Sequence, residues 1–551
     1  MASSQISTSK DDKDDIELRV KTPSDKDDDG QLPPTTRTYS RHSANLNDDE
    51  QLQRLGKKPL LNRSFGFMPI LGFACSALLS WEGIVTNSGL ALTNGGPAGV
   101  IWGFLINWIG TLSVNAVLAE LSSIAPTAGG QYHWVAMMAP ASCSAFLTYL
   151  TAWLTTMSWQ FIAVSIGYII STMMQGIIVL ATARSYEPTK WQTVLILWGV
   201  MAFAVIVNST TSRALAKFEG LVLVLHLVGF FAVLIPMVYL APHIDPADVF
   251  STFLNGGGWA NQALSFFVGF PSGSSALIGA DCAVHMSEEI QHAAMVVPRA
   301  LMYTIIINGS LAFAMIIVML ICLSDLDAAM KSAETLFYPF IQIFYSAVKS
   351  REGACVMAGL ILVLSMSSSV GIYASASRMM WSFARDKGLP FSQQLVKLTK
   401  DQLPANAIFT TLGITVLLSL IILGSSVALG ALISLVVAAL FSSYLLSCGL
   451  LLWRRCTGAL QPYSTNWESL DSGRLTWGPW RVPEPLGTIN NVVACLYCAF
   501  LLFWSFWPQY TPVTPETMNW SILVFGSVVG FCILWYVFRA RHYFKGPIKE
   551  I

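Results

Sequence analysis

Two ionisable side chains stand inside long apolar stretches of this chain. His226 lies among Leu223, Val224, Leu225, Leu227 and Val228, and Glu82 lies between Ser80-Trp81 and Gly83. A charge or potential charge buried in about 20 apolar residues is costly in a bilayer and faces a cavity or a partner. An unperturbed imidazole titrates near pH ~6.5. His226 is therefore suited to take a proton from an acidic exterior and release it inside. The alternative is a neutral histidine that only hydrogen-bonds a hydroxyl. Glu82 is suited to neutralise an amine directly or through water, or else to sit protonated against the helix around 262–284.

Other residues fit the same chemistry. Gly269-Phe270-Pro271-Ser272-Gly273-Ser274-Ser275 interrupts an apolar run, as Ser80-Trp81-Glu82-Gly83 does earlier. Breaks in a membrane helix free backbone N–H and C=O groups and are tolerated where they line a cavity. Half-helix N-termini receive anions there, and freed carbonyls receive cations. Residues 271–275 are thus expected to be non-helical and, with Phe270 and with Ser80, Trp81, Glu82 and Gly83, to touch a small solute. A Pro/Gly kink made for packing is the alternative. Trp159, with Trp153 and Tyr168, offers aromatic faces that suit ammonium groups. Glu120 and Asp281, with Glu288 and Glu289 nearby and Arg299 and Arg378 as candidate partners, read as a gate latch or as solvated, helix-capping charges. The serines at 365–369 mark either a vacated cation site or close helix packing.

The elements that must position these residues follow from composition. The 551 residues are 54% hydrophobic and 12% charged, about half the charged share of a soluble domain. Twelve spans are expected near 68–92, 98–121, 145–174, 191–209, 218–240, 262–284, 301–323, 354–381, 406–424, 427–452, 489–508 and 520–538. The breaks fall in the first and sixth, the offset of two inverted five-helix repeats. Loops bearing Arg213, Lys217, Arg299, Arg385, Lys387, Arg454 and Arg455 alternate with loops 93–97, 241–261 and 509–519, which have no Lys or Arg. The positive-inside rule then places both termini in the cytosol, despite Arg184, Lys190, Lys331, Lys349 and Arg351 on the other side. Segment 337–349 reads as a re-entrant or surface helix.

Residues 1–64, with runs such as Asp11-Asp12-Lys13-Asp14-Asp15, read as a disordered cytosolic tail. Residues 65–540 form the spanning domain, and 541–551 a short cytosolic end. The polar, acidic N-terminus has no cleavable signal. Lys plus Arg balance Asp plus Glu at 32 each, which gives no case for nucleic acid. Cys495 and Cys498 sit mid-helix as small packing residues. Asn519-Trp520-Ser521 is a glycosylation sequon hard against the last span. No Walker A, HExxH, GxSxG or paired zinc-ligand pattern appears. No cofactor, metal or enzymatic chemistry is expected.

Three segments carry a family resemblance. Ala119-Glu120-Leu121-Ser122-Ser123-Ile124-Ala125-Pro126-Thr127-Ala128-Gly129-Gly130-Gln131-Tyr132 follows the second span. Ala280-Asp281-Cys282-Ala283-Val284-His285-Met286-Ser287-Glu288-Glu289 ends the sixth. Ser377-Arg378-Met379-Met380-Trp381, then Ala384-Arg385-Asp386-Lys387-Gly388-Leu389-Pro390, follows the eighth. Together they resemble the signatures of the amino acid–polyamine–organocation superfamily. Trp81-Glu82-Gly83 through Leu92-Thr93-Asn94-Gly95-Gly96-Pro97-Ala98-Gly99 resembles its fungal amino acid/choline permeases, which carry choline, GABA and related amines.

The resemblance implies an all-α membrane protein of about twelve helices, a LeuT-like five-plus-five inverted repeat plus two C-terminal helices. It also implies proton-coupled uptake at the plasma membrane. Some proton-coupled relatives have a basic residue in span 5, close to span 8, where others bind sodium; His226 would play that part, facing Ser365, Ser367, Ser368 and Ser369. Many amino acid permeases clamp a carboxylate at a Gly-Ser-Gly-type break in span 1. Ser80-Trp81-Glu82-Gly83 departs from that pattern and favours a cationic or zwitterionic amine. The expected activity is secondary import of an amino acid, GABA or choline. The alternative is a nutrient sensor signalling through its tail.

Overall fold

The structure is a computed structural model that describes residues 41–424, 426–464, 474–515 and 517–550. It divides into two units. One takes in the chain up to Pro59 together with Lys549–Ile551, and the other is Leu60–Ile548. In the smaller unit Arg41–Arg54 is helical, and the Lys58 backbone N–H donates to Glu550 Oε2 at 2.9 Å. That helix lies within the stretch expected to be a structureless tail. Residues 1–40 of the same stretch lie outside the described residues.

The larger unit holds the expected twelve spans among its described residues: Phe67–Asn87, Gly89–Ile124, Ser144–Ala181, Lys190–Asn208, Ser212–Leu240, Gln262–His285, Ala293–Ile321, Arg351–Arg385, Ala405–Gly424, Leu435–Cys456, Leu486–Trp504 and Ser521–Phe538. They are helices because an apolar segment in lipid must satisfy its own backbone. The 38-residue third span is about 57 Å long at ~1.5 Å per residue, well beyond a hydrocarbon core of about 30 Å. Burial sorts the spans: 78% of the first is buried and 11% of the twelfth. The first runs through the core and the twelfth lies at the rim, presenting Leu523, Phe531, Leu534 and Phe538 outward.

Packing reproduces the five-span offset. Span 1 meets span 6 where Ser80–Asn87 touches Ser275–Leu277. Span 2 packs on span 7, span 3 on span 8, and span 4 on span 9. A pseudo-twofold relation between spans 1–5 and 6–10 has this consequence, and spans 11 and 12 stand outside it.

Span 1 is two helices, Phe67–Leu78 and Ser80–Asn87, separated by Leu79 in the left-handed region (φ 48°, ψ 54°). The break lies one residue before the expected Ser80–Gly83. Span 6 differs more. Gln262–Ser274 is helical straight through Pro271 and is followed by a 3₁₀ turn, Ser275–Leu277. The chain opens only at Ile278, which is extended (φ −89°, ψ 140°), and at Gly279 (φ 102°). The expectation of a non-helical 271–275 is therefore corrected. Proline removes one hydrogen bond, but local donors look after the carbonyls around it. Asn107 Nδ2 donates to Phe270 O at 3.0 Å, Ser274 Oγ to Pro271 O at 2.7 Å, and Ser275 Oγ to Ser272 O at 2.7 Å.

Span 2 is kinked at Gly96 (φ 67°, ψ −173°). A Cβ there would stand 2.7 Å from Leu254 N and 2.8 Å from Thr252 O, so only glycine fits. Between spans 7 and 8 lie two short helices, Leu326–Leu336 and Pro339–Val348. The second covers most of the segment read as a surface helix, and it turns Phe340, Ile341 and Phe344 into the core.

Candidate functional site

The two breaks border a cavity of about 180 Å³ at the centre of the bundle. Its walls come from span 1 (Glu82, Gly83), span 3 (Trp159, Ser165), the span 6 break (Ser275, Gly279), span 8 (Ser365) and span 10 (Val436). Three of the lining residues have a buried polar atom with no hydrogen-bond partner among the described residues: Glu82 Oε2, Trp159 Nε1 and Ser165 Oγ. Buried polar groups in proteins are normally paired. Glu82 thus carries an unpaired acceptor, and Trp159 and Ser165 unpaired donors, on residues that line one cavity. No Lys or Arg lines the cavity.

Glu82 looks both ways. Its Oε1 is 2.8 Å from Nδ1 of His226, and both side chains are buried. His226 Nε2 is 3.0 Å from Oδ1 of Asn308 in span 7. That same oxygen accepts from Ser80 Oγ at 2.7 Å, while Asn308 Nδ2 donates to Cys75 O at 3.3 Å. The Cys75 carbonyl fixes which way the amide points, and the rest follows by elimination. Asn308 Oδ1 only accepts, so Nε2 of His226 must carry a proton. Nδ1 then meets Glu82 in one of two ways: it accepts from a protonated carboxyl, or it donates to a carboxylate as part of an imidazolium. Both contain one proton more than a neutral histidine beside an ionised glutamate. The contact holds one shared proton.

The expected site residues divide accordingly. Glu82, Gly83 and Trp159 line the cavity. Ser80 turns to Asn308, and Trp81 packs beside His226 and Phe230 with ring centroids 6.0 and 5.9 Å away. Phe270 packs on Phe266 and Phe500. Ser272 Oγ donates to Asn87 O at 2.7 Å, which ties the two broken spans together. Gly273 gives Asn107 room, since a Cβ there would lie 3.0 Å from Asn107 Nδ2. Pro271 and Ser274 belong to the helical stretch before the break. His226 faces Glu82 and Asn308 and not the span 8 serines. Ser367 and Ser369 bond carbonyls of their own helix, Ser368 reaches Ala77 O at 3.4 Å, and Ser365 alone of that group lines the cavity.

One end of the bundle is sealed by buried charges. Asp281 accepts from Gln131 Nε2 at 2.6 Å and Tyr444 OH at 2.7 Å, with His285 Nε2 3.6 Å away. Glu289 pairs with Arg378 and Glu288 with Arg385, each at 2.9 Å and all four side chains buried. Arg455 bridges Glu120 and Glu484, and Glu120 Oε1 also accepts from the Val482 backbone N–H at 3.0 Å. Partial burial pushes the Glu484 carboxyl up, but hydrogen bonds from Thr488 and Arg455 and the Arg455 charge outweigh it and hold it below the usual carboxylate range. Arg378 is a partner as expected. Arg299 is not in this network and borders a surface pocket with Phe67 and Tyr303. Glu120, Asp281, Glu288 and Glu289 are all buried and are neither solvated nor simple caps.

Several site residues escaped the sequence reading. Asn308, Gln131, Tyr444 and Arg455 act through partners far away in the chain, and Ser165 lines the cavity with an unpaired hydroxyl. Glu219, also in span 5 and fully buried, accepts from Ser76 Oγ at 2.8 Å. A polar residue in an apolar span was the available signal for Asn308 and Glu219. The sequon asparagine is engaged: Asn519 Nδ2 donates to Ser505 O at 2.8 Å and Trp507 O at 2.9 Å.

Comparison with known proteins gives one consistent result. Residues 65–528 match the family model described as amino acid permease. An uncharacterised amino-acid permease of Schizosaccharomyces pombe is 27% identical over 515 residues, 92% of this chain and 88% of the relative. The choline transporter of Saccharomyces cerevisiae is 29% identical over 406 residues, 73% and 71% of the two chains. Amino-acid permease 2 of Neurospora crassa is 25% identical over 538 residues, 97% and 94%.

Proposed function

The chain belongs to the amino acid permease family, and on that premise we propose that it is a proton-coupled importer of a small amine-bearing solute, choline or an amino acid among the candidates. It works in the plasma membrane with both termini in the cytosol. One observation carries this reading. Glu82 lines the central cavity with one carboxyl oxygen unpaired and holds the other on His226. A cationic group entering beside Oε2 favours the ionised carboxyl, and the shared proton then resides on the imidazole. Solute and proton thus stabilise one another's binding, which is what symport requires.

The walls suit such a solute. Trp159 gives an aromatic surface for an ammonium group. Its Nε1 and the Ser165 hydroxyl are free to donate to a carboxylate or hydroxyl at the other end. The buried pairs of Glu288, Glu289 and Glu120 close the cytosolic end in this state, and opening them admits water to the site. The test is radiolabelled uptake in a transport-deficient yeast, screening choline, GABA, polyamines and neutral and basic amino acids at two external pH values. Uptake of an amine that rises at the lower pH supports the proposal. Uptake of anions alone, or none dependent on pH, refutes it.

A further inference from the structure

A second and larger cavity, about 620 Å³, lies away from the transport site between span 3, span 8, span 9 and the segment joining the last two. Span 3 contributes Trp153, Thr156, Met157 and Gln160, whose spacing of three and four puts them on one helix face. Leu389, Pro390 and Phe391 and the span 9 residues Phe409 and Ile414 form the opposite wall. Phe391 is 76% exposed and Phe409 56%. Leu417, Leu420 and Leu423 continue that exposed apolar face along span 9. The cavity therefore opens on surface that faces lipid.

Its polar side chains are Thr156, Gln160, Gln394, Asn406 and Thr410, with the indole of Trp153. Thr156 and Gln160 are both buried, and Thr156 Oγ1 and Gln160 Oε1 have no hydrogen-bond partner among the described residues. Gln160 Nε2 is held by Thr411 Oγ1 at 3.3 Å, which points the amide oxygen elsewhere. No Asp, Glu, Lys, Arg or His lines the cavity. A charged headgroup has no counter-ion here. A water needs two to four polar partners, and the buried polar residues of the lining are Thr156 and Gln160. The volume is that of an organic-ligand pocket, roughly 300–1,000 Å³.

We propose that this cavity binds a neutral lipid whose head is a single hydroxyl group. The hydroxyl donates to Gln160 Oε1 and exchanges a hydrogen bond with Thr156, while the apolar body lies between Phe391 and Phe409. Sterols and long-chain alcohols share this chemistry. The bound lipid braces Leu389–Phe391, a few residues beyond Arg385 and its buried pair with Glu288, so occupancy steadies the closed end of the bundle.

The test uses the full chain in lipid nanodiscs with two photoreactive probes, a sterol and a long-chain alcohol, each with a free hydroxyl and as its methyl ether. At least one hydroxyl probe is expected to label peptides covering Trp153–Gln160 or Phe391–Ile414. Which probe labels tells sterol from alcohol. Its methyl ether, which cannot donate, should label roughly tenfold less, the effect of one buried hydrogen bond. Gln160→Leu should lower labelling by the hydroxyl probe to the same degree. Equal labelling by the methyl ethers, competition by an anionic phospholipid as strong as by the hydroxyl lipid, or no label in these peptides would each overturn the proposal. The methyl ether comparison is made on the parent protein and stands even where Gln160→Leu fails to fold.

Discussion

Nδ1 of His226 and Oε1 of Glu82 lie 2.8 Å apart across 144 residues of sequence, and each is the other's only ionisable hydrogen-bond partner among the described residues. One is in the middle of span 5, the other just past the break in span 1. Neither has a reason to be buried without the other.

Glu82→Gln should weaken binding of a cationic solute. The amide keeps the shape and a hydrogen bond to His226 but carries no charge into the cavity. Losing a hydrogen bond to a charged group costs about 1.5–3 kcal/mol, so the KM for uptake should rise roughly 10- to 100-fold. Saturation curves at matched surface expression check this. An unchanged KM means the solute does not meet Glu82.

His226→Gln should uncouple transport. The groups facing this ring are Glu82 and Asn308, with Trp81 and Phe230 packed beside it. Glutamine bonds both polar neighbours without titrating. Net uphill uptake should lose its dependence on the proton gradient, while exchange of internal for external solute survives. An accumulation ratio and pH profile equal to the parent's would exclude His226 from coupling.

Removing one member of a buried ion pair is far worse than removing both. Arg378→Met should cost about 3–5 kcal/mol, because Glu289 is left buried and unpaired. Arg378→Met with Glu289→Gln should recover much of the loss. Thermal unfolding of the purified single and double variants measures it. The same single variant should expose Cys282, buried beside this network, to a thiol reagent added from the cytosolic side. Additive losses in the double variant argue against the pair as a unit.

Gly96→Ala should destabilise the kink of span 2. The new Cβ meets Leu254 N at 2.7 Å, in a backbone conformation that non-glycine residues adopt at a cost of about 1–3 kcal/mol. A lower melting temperature is expected, with Gly99→Ala as the control: its Cβ would meet nothing closer than Phe266 at 3.6 Å.

Hydropathy made the twelve spans legible, since a bilayer selects on length and apolarity alone. The break at Leu79 was legible to one residue because a polar cluster follows it. The break in span 6 was not. Proline and small residues advertise a weakness at 271–275, yet the hydroxyls of Ser274 and Ser275 and the amide of Asn107 mend it, and the backbone opens at Gly279 instead. That outcome depends on span 2, which no local pattern contains. The same limit hid the pairing of Glu82 with His226. Each residue looked anomalous alone, and only the fold shows that the anomalies answer one another. Ser80 and Trp81 sat beside the right residue, but helical rotation turns them away from the cavity.

Asn308 is a three-way linkage pin. Its single amide grips the imidazole of span 5, the hydroxyl of Ser80 past the break, and the carbonyl of Cys75 before it. A flip of that amide would put two donors where the imidazole N–H also donates, and two oxygens face to face at Cys75. The amide can turn only if the ring gives up its Nε2 proton or both halves of span 1 let go. The two halves of the broken helix and the ring of a different helix are therefore joined through one side chain that does not itself line the cavity.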